Sequence, residues 1–340
     1  MSITIGNLTL RNNVLLAPMS GITDAAFRKV AHAHGAGLVV SEMVASEELA
    51  RERPDMVRRT FGGDGLSPFV IQLAGREAHW MAEGARIASD MGADIIDINM
   101  GCPARQVTGG LSGSALMRDP DHALSLIAAT VEATQVPVTV KMRLGWDHDK
   151  LNAPDIARRA ESVGAKMITV HGRTRCQFYT GKADWAAIRA VREAISIPLV
   201  ANGDGQTADD ARAMMEASGA DAVMFGRAAY GRPWWPGAVA ETLLPGSGRA
   251  APTLAEECDI ALWHHDETLT LYGARLGNKT FRKHLGWLLA RLHERGLLSL
   301  DTLQSLRASL LSTLDNDVVA QGIRDVFKDL NSDFDGRALA

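Results

Sequence analysis

Cysteine is scarce in this sequence. The chain of 340 residues holds three, Cys102, Cys176 and Cys258, an odd number at spacings that make neither a zinc cluster nor a disulfide framework. A stapled secreted scaffold is excluded, and a reducing, cytoplasmic setting is expected. An excess of positive charge is also missing. Lys and Arg number 36 against 40 Asp and Glu, a net charge of −4, so any contact with nucleic acid must come from a local patch. No uninterrupted apolar run is long enough to cross a bilayer. Met1 to Asn13 lacks the basic-then-apolar plan of a secretion signal. No HExxH motif and no carboxylate–histidine cluster points to a metal, so none is expected. What is present is an ordinary globular composition, 46% hydrophobic and 22% charged, enough to bury a large core in one domain or two.

Eight short apolar runs recur before about Gly231: Val14–Ala17, Leu38–Ser41, Phe69–Leu73, Ile95–Asn99, Val138–Met142, Met167–His171, Leu199–Asn202 and Ala222–Phe225. Near-continuous apolar runs of this length read as parallel strands covered on both faces. Amphipathic stretches between most of them read as helices: Asp24–His34, Ala78–Met91, Pro120–Thr134, Asp155–Val163, Trp185–Ala194 and Thr207–Ser218. Strands 2, 4, 6 and 8 follow Gly-Ala, and strands 3, 5 and 7 begin beside Pro68, Pro137 and Pro198. Eight units so punctuated predict an α/β fold, a closed (β/α)8 TIM barrel. An open doubly wound sheet is disfavoured, because no glycine-rich dinucleotide turn follows the first strand.

The composition changes after Trp235. Pro236 to Pro252 is rich in proline, glycine and serine and reads as a linker. Beyond it the pattern is helical, with Phe281, Leu285, Leu288, Leu289 and Leu292 on one face. The expected organisation is a barrel over 1–240, a linker over 241–252, a small all-α domain over 253–330 and a loose tail over 331–340.

Chemistry in such barrels sits at the carboxyl ends of the strands. The fourth strand runs into Asn99-Met100-Gly101-Cys102-Pro103. Glycine and proline on either side of Cys102 make a poor packing site but a well-fixed loop, so this thiol reads as chemical and not as core. Strands 7 and 8 end in Asn202-Gly203-Asp204 and Gly226-Arg227. Loops at these positions commonly hold a phosphate, which implies a phosphorylated cofactor or substrate. Lys141 suits the electron-rich edge of a flavin, and His171 is placed to hydrogen-bond the same group. Far from these, Tyr272 to Gly296 carries Arg275, Lys279, Arg282, Lys283, Arg291 and Arg295 against the single acid Glu294. The first four share a helical face, which reads as a phosphate-backbone contact.

Several of these segments together resemble one family. They are Ala17-Pro18-Met19 with Gly21-Ile22-Thr23-Asp24, the run Asp97 to Pro103, Lys141-Met142-Arg143, His171-Gly172-Arg173-Thr174, Asn202-Gly203-Asp204 and Gly226-Arg227-Ala228. The family is the tRNA-dihydrouridine synthases. Ser41-Glu42-Met43, Gly113-Ser114-Ala115-Leu116 and Gly231-Arg232-Pro233-Trp234 resemble its bacterial B-type enzymes. Arg105-Gln106 departs from the two lysines often found there. The resemblance implies FMN as cofactor, NADPH as reductant and a uridine of the tRNA D-loop as substrate; a monomeric, cytoplasmic protein is expected. It implies Cys102 as the acid that protonates uracil C5. It assigns Pro18, Met19, Gln72, Lys141, His171, Asn202, Gly203, Asp204, Gly226 and Arg227 to FMN. Asn99 and Arg143 would hold the extruded uracil, while the charge pattern itself gives Lys279, Arg282 and Lys283 to the RNA. Two other readings compete. One is a dihydroorotate dehydrogenase-like FMN barrel acting on a free small molecule, which the basic helical segment and the Gly-Cys-Pro loop speak against. The other is a non-catalytic flavin- and RNA-binding module, which the intact Cys102 and Lys141 speak against.

Overall fold

A computed structural model of the chain describes residues 2–62, 65–244 and 251–338, with 106 and 332–338 described by backbone alone. Its strands are β1 (Thr4–Ile5), β2 (Leu8–Thr9), β3 (Val14–Leu16), β4 (Leu38–Val39), β5 (Val44–Ala45), β6 (Val70–Ala74), β7 (Ile95–Met100), β8 (Val138–Arg143), β9 (Met167–His171), β10 (Leu199–Asn202) and β11 (Ala222–Phe225). β3 to β11 form one parallel sheet in the order β4-β3-β11-β10-β9-β8-β7-β6-β5. β4 and β5 are two halves of the second barrel strand. Val40, between them, bridges to Val70 and closes the ring.

The break in this strand has a local cause. The Ser41 hydroxyl accepts the Gln72 N–H at 2.9 Å, standing in for a ladder carbonyl, and donates to the Glu42 carbonyl. The backbone leaves the ladder there, and Glu42 turns to accept the Gly21 N–H. The expected strand Leu38–Ser41 is therefore shorter, and its continuation lies three residues beyond it.

Side chains alternate across each strand, and the barrel interior is layered accordingly. The lowest layer is apolar: Leu15, Leu38, Val70, Ile95, Met167, Val200 and Ala222 pack with Ile3, Ile5 and Leu10 of the β1–β2 hairpin, which seals the floor. Two residues up, on the neighbouring strands β6 to β9, the layer is polar and buried, with Gln72, Asp97, Thr139 and Thr169, while Ala17, Val40 and Met224 keep the other side apolar. Two residues further on β7, β8 and β9 stand Asn99, Lys141 and His171, at the mouth, and Asn202, two residues beyond Val200, joins them through its pairing with His171. The outward residues, such as Val14, Leu16, Ile71, Ile96, Ile98 and Val140, pack under the helices.

Two boundaries differ from the sequence expectation. Trp235–Leu243 is a helix with proline in its first turn, where a proline's fixed backbone angle starts a helix instead of ending one. Ala238, Val239 and Ala240 bury its inner face, so the barrel reaches 243; the rest of the expected linker includes 245–250, outside the described residues. The last helix, Asn316–Ala338, runs across most of the expected tail.

The helical domain is built from helices Leu254–Tyr272, Ala274–Glu294, Leu300–Leu310 and Asn316–Ala338. Thr253 and Glu256 close a capping box at its start. Phe281, Leu285, Leu288, Leu289 and Leu292 are all buried in its core. It docks on the barrel through Phe27 of helix Ala25–Ala33, whose ring meets His264 at 5.3 Å and His284 at 5.4 Å. Burial lowers His264 to about 3 and His284 well below its ordinary value, so both imidazoles pack as neutral rings. Gly231 lets the chain pass beneath helix Ala274–Glu294: a side chain there would sit 2.5 Å from the Leu288 nitrogen. Beside it Tyr230 stacks on Trp287 at 4.0 Å.

Candidate active site

A cavity of about 650 Å³ opens at the carboxyl ends of the strands. Of the residues expected there, Pro18, Met19, Gln72 and Gly226 line it, as do His171, Asn202, Gly203, Asp204 and Arg227. Asn99, Cys102 and Arg143 line it as well. Lys141 stands half-buried beside Asn99 in the ladder and donates to Asn202 Oδ1 at 3.2 Å. Lys279, Arg282 and Lys283 lie on helix Ala274–Glu294 of the other domain and do not line the cavity.

The thiol loop is held from three sides. Asn99 Oδ1 accepts the Gly101 and Cys102 N–H groups at 3.2 and 3.0 Å, while its amide donates to Gln72 Oε1 at 2.8 Å. Ser114 donates to the Cys102 carbonyl through both its N–H and its hydroxyl. Arg143 Nε donates to the Gly101 carbonyl at 2.8 Å. Cys102 is thus fixed at the mouth, and burial pushes its pKa above the ordinary value. It stays a thiol at neutral pH, fit to give a proton and unfit as a nucleophile.

Arg143 is buried and committed further, through Nη1, to the Thr174 and Phe178 carbonyls at 2.8 Å each. Burial lowers its pKa to about 10, so it remains a cation. Below it, burial raises Asp97 to about 6, although Gln72 Nε2 and the Thr139 hydroxyl donate to it at 2.7 and 2.6 Å. Burial lowers Lys141 to about 8, with Asp97 opposing the shift.

The phosphate-suited end is organised by Asp204. Burial works to raise its carboxyl, but hydrogen bonds from Arg173 and the Ala183 N–H, with the Arg173 and Arg227 charges, hold it below the usual range. Arg173 grips it with two bonds at 2.9 and 2.6 Å, and Arg227 with one at 2.9 Å. Arg173 Nη1 also lies 3.3 Å from His171 Nε2. Burial first, then Lys141, Arg143, Arg173 and Arg227, keep His171 neutral. A neutral ring beside a guanidinium accepts at Nε2 and carries its proton on Nδ1.

Sequence reasoning named Arg173 within the run His171-Gly172-Arg173-Thr174 and gave it no role; it is the buried hub of this network. It passed over Tyr179, half exposed at the mouth, with the Arg143 and Arg227 guanidinia 5.5 and 5.4 Å from its ring. Tyr179 sits in a loop without periodicity, and only its nearness to the His171-Gly172-Arg173 end could have drawn attention to it. Arg282 departs from its expected place on an open basic face. Its Nη2 donates to the Ser312 and Thr313 carbonyls at 3.1 and 3.0 Å, tying it to the end of helix Leu300–Leu310. Lys279 is exposed and Lys283 half-buried on the same helix.

A closed parallel barrel with a large cavity at its carboxyl ends, a fixed thiol and a cationic anion-suited end is the build of a barrel enzyme. Residues 15–307 match the family model described as dihydrouridine synthase, and the chain belongs to that family. It is 59% identical over 284 residues to a Rhizobium leguminosarum protein described as "Probable tRNA-dihydrouridine synthase", covering 84% of this chain and 87% of that one. It is 40% identical over 337 residues to the tRNA-dihydrouridine synthase B of Pseudomonas aeruginosa, covering 99% of each. Among solved structures, 6-hydroxypseudooxynicotine amine oxidase from Pseudomonas geniculata shares the fold, with a TM-score of 0.55, 14% identity, and 71% of this chain and 49% of that one covered.

Proposed function

We propose that this enzyme is a tRNA-dihydrouridine synthase that reduces the 5,6 double bond of a uridine in the tRNA D-loop, with FMN as resident cofactor and NADPH as reductant. The observation that carries the reading is Cys102: a protonated thiol held by Asn99, Ser114 and Arg143 at the rim of a cavity of about 650 Å³. That volume lies in the range of cofactor and ligand pockets. The donor set fits a flavin mononucleotide. Gly203 lines the cavity at φ 127°, a backbone angle that side chains rarely adopt, so its backbone can face an anion there. Arg227, with about half its side chain exposed, can add charge-assisted bonds to a phosphate.

The reaction adds hydride at uracil C6 and a proton at C5, and the flavin supplies hydride chemistry when bound. A base stacked in RNA cannot be reached, so it must be extruded into the cavity, at a cost of roughly a few kcal/mol. Cys102 would hold the proton for C5. Arg143 stands near enough to its loop to offset the enolate character that develops on uracil, its third nitrogen Nη2 being the one without a carbonyl partner. Asn99 acts on the thiol loop as well as facing the substrate. In the helical domain Lys279 and Lys283 would contact RNA phosphates, with Arg282 bracing their helix.

The test has two parts. Flavin released on denaturation should chromatograph as FMN and not FAD. Cys102→Ala should retain FMN and NADPH oxidation and lose uridine reduction in a single turnover. Wild-type reduction of tRNA by the alanine variant would remove Cys102 from the acid's role, and FAD would remove the cofactor assignment.

A further inference from the structure

A row of cations leads away from the cavity on the side remote from the helical domain. The ring order puts β8 four strands from β3 in either direction, so the loops after β7, β8 and β9 face those after β3 and β11, where the helical domain docks. Phe178, which lines the cavity, lies under the Arg175 guanidinium at 5.3 Å. Arg175 and Arg118 both lie over the Trp146 ring, each 4.9 Å from its centroid. Arg118 in turn shares a groove of about 350 Å³ with His122, Lys150 and the exposed Leu111. The sequence scatters these residues over three loops, and the fold joins them into one path.

The cations on this path make no ion pair among the described residues. Among the described residues, neither Arg118, Lys150 nor Arg175 lies within ion-pair distance of a carboxylate. Asp119 lines the same groove, but its carboxylate caps helix Pro120–Glu132 through the His122 N–H. Asp147, in the β8 loop, accepts the Asp149 N–H. Arg175 Nε is buried without a partner. Two guanidinia rest on one indole, and apart from a 3.5 Å bond from Arg175 Nη2 to the Thr108 hydroxyl neither donates to a protein acceptor among the described residues, which leaves N–H groups for an anion. Cations spread along a line beside apolar surface suit a chain of phosphates with bases between them better than one small anion.

We propose that this ridge, centred on Trp146 with Arg118, Arg175 and Lys150, is a second RNA-backbone contact, on the barrel. It grips the substrate on the side of the cavity opposite the helical domain. The inference rests on the tRNA reading above. A strand held at both sides of the mouth is braced against the pull of base extrusion.

The test measures binding of a dihydrouridine-free tRNA transcript over a salt series. The proteins are wild type, Arg118→Gln/Lys150→Gln, Arg118→Glu/Lys150→Glu, and Lys166→Gln, a control at an exposed position where the chain enters β9 from the barrel floor. The Gln pair should bind several-fold more weakly, with a salt slope shallower by roughly 1.4 to 1.8 for two lost contacts. The Glu pair should bind more weakly still, and Lys166→Gln like wild type. Melting curves check folding, and each single Gln variant should carry part of the effect should the pair misfold. Unchanged affinity and slope in folded Gln variants would overturn the ridge alone. A wild-type protein that binds no tRNA would overturn the substrate reading and the ridge together.

Discussion

Arg173→Met tests whether one buried guanidinium holds the anion-suited end of the cavity together. Arg173 is about 1% exposed. It donates to the Thr180 and Gly181 carbonyls at 3.2 and 2.7 Å, and to both oxygens of Asp204 at 2.9 and 2.6 Å. Methionine fills much of the same space but leaves two carbonyls and a carboxylate short of a partner. Breaking a buried pair from one side costs about 3–5 kcal/mol. Asp204 keeps Arg227 and the Ala183 N–H, and its side chain is 28% exposed, so the lower end, about 3 kcal/mol, applies. A barrel of about 240 residues has an unfolding entropy of roughly 0.5 kcal/mol/K, which converts that loss to a fall of about 6 °C in Tm. Arg173→Lys keeps the charge without the planar fork and should recover no more than half. Thermal melts of the three proteins, with flavin content measured alongside, decide the matter. A Tm for Arg173→Met within about 1 °C of wild type would refute the reasoning, because no compensating partner for Asp204 of that strength is present.

Two further outcomes follow from the same side chains and from the domain junction. Lys141 titrates near 8 because burial disfavours its charge; below that pH it is a cation and above it is neutral, so kcat/KM for tRNA should fall as pH rises through about 8. Lys141→Arg, charged throughout, should lose this limb, whereas the Cys102 thiol, shifted upward, should not set it; a limb that stays at the same pH in the arginine variant would exclude Lys141 as its source. Phe27→Ala empties a fully buried ring site between His264 and His284 and should cost about 3–5 kcal/mol. It should show as faster amide exchange along helix Leu254–Tyr272, and unchanged exchange there would mean that Phe27 does not hold the domains together.

The barrel was legible because its rule is local. Every second residue of a strand faces inward, so Val70-Ile71-Gln72 or Ile95-Ile96-Asp97-Ile98-Asn99 already separates floor, middle and mouth. Cys102 was legible for a similar reason, since Gly101 and Pro103 fix a loop by backbone geometry alone. Partners distant in sequence were not. Ser41 breaks its strand by taking the Gln72 N–H, and nothing near Ser41 announces that. Pro236 read as a breaker because the same residue ends one helix and begins another, and only the burial of Ala238 to Ala240 decides which. Arg282 has the helical spacing of Lys279 and Lys283, but a wheel cannot show that the Ser312 and Thr313 carbonyls lie within its reach. Arg173 is the sharpest case: its importance comes from Thr180, Gly181 and Asp204, none of which it neighbours in the chain.

The hairpin of β1 and β2 under the barrel has a bearing on kinetics. With Ile3, Ile5 and Leu10 packed into the lowest layer, the floor of the chamber is closed. Nothing passes through that floor, so a ligand reaches the chemistry from the carboxyl ends of the strands. On the function proposed above, a nicotinamide dinucleotide and a folded RNA would approach from that same side, and the expectation is that they take turns. Initial-rate plots for the two reactants would then run parallel, their order dictated by a plugged floor on the far side of the protein from the chemistry.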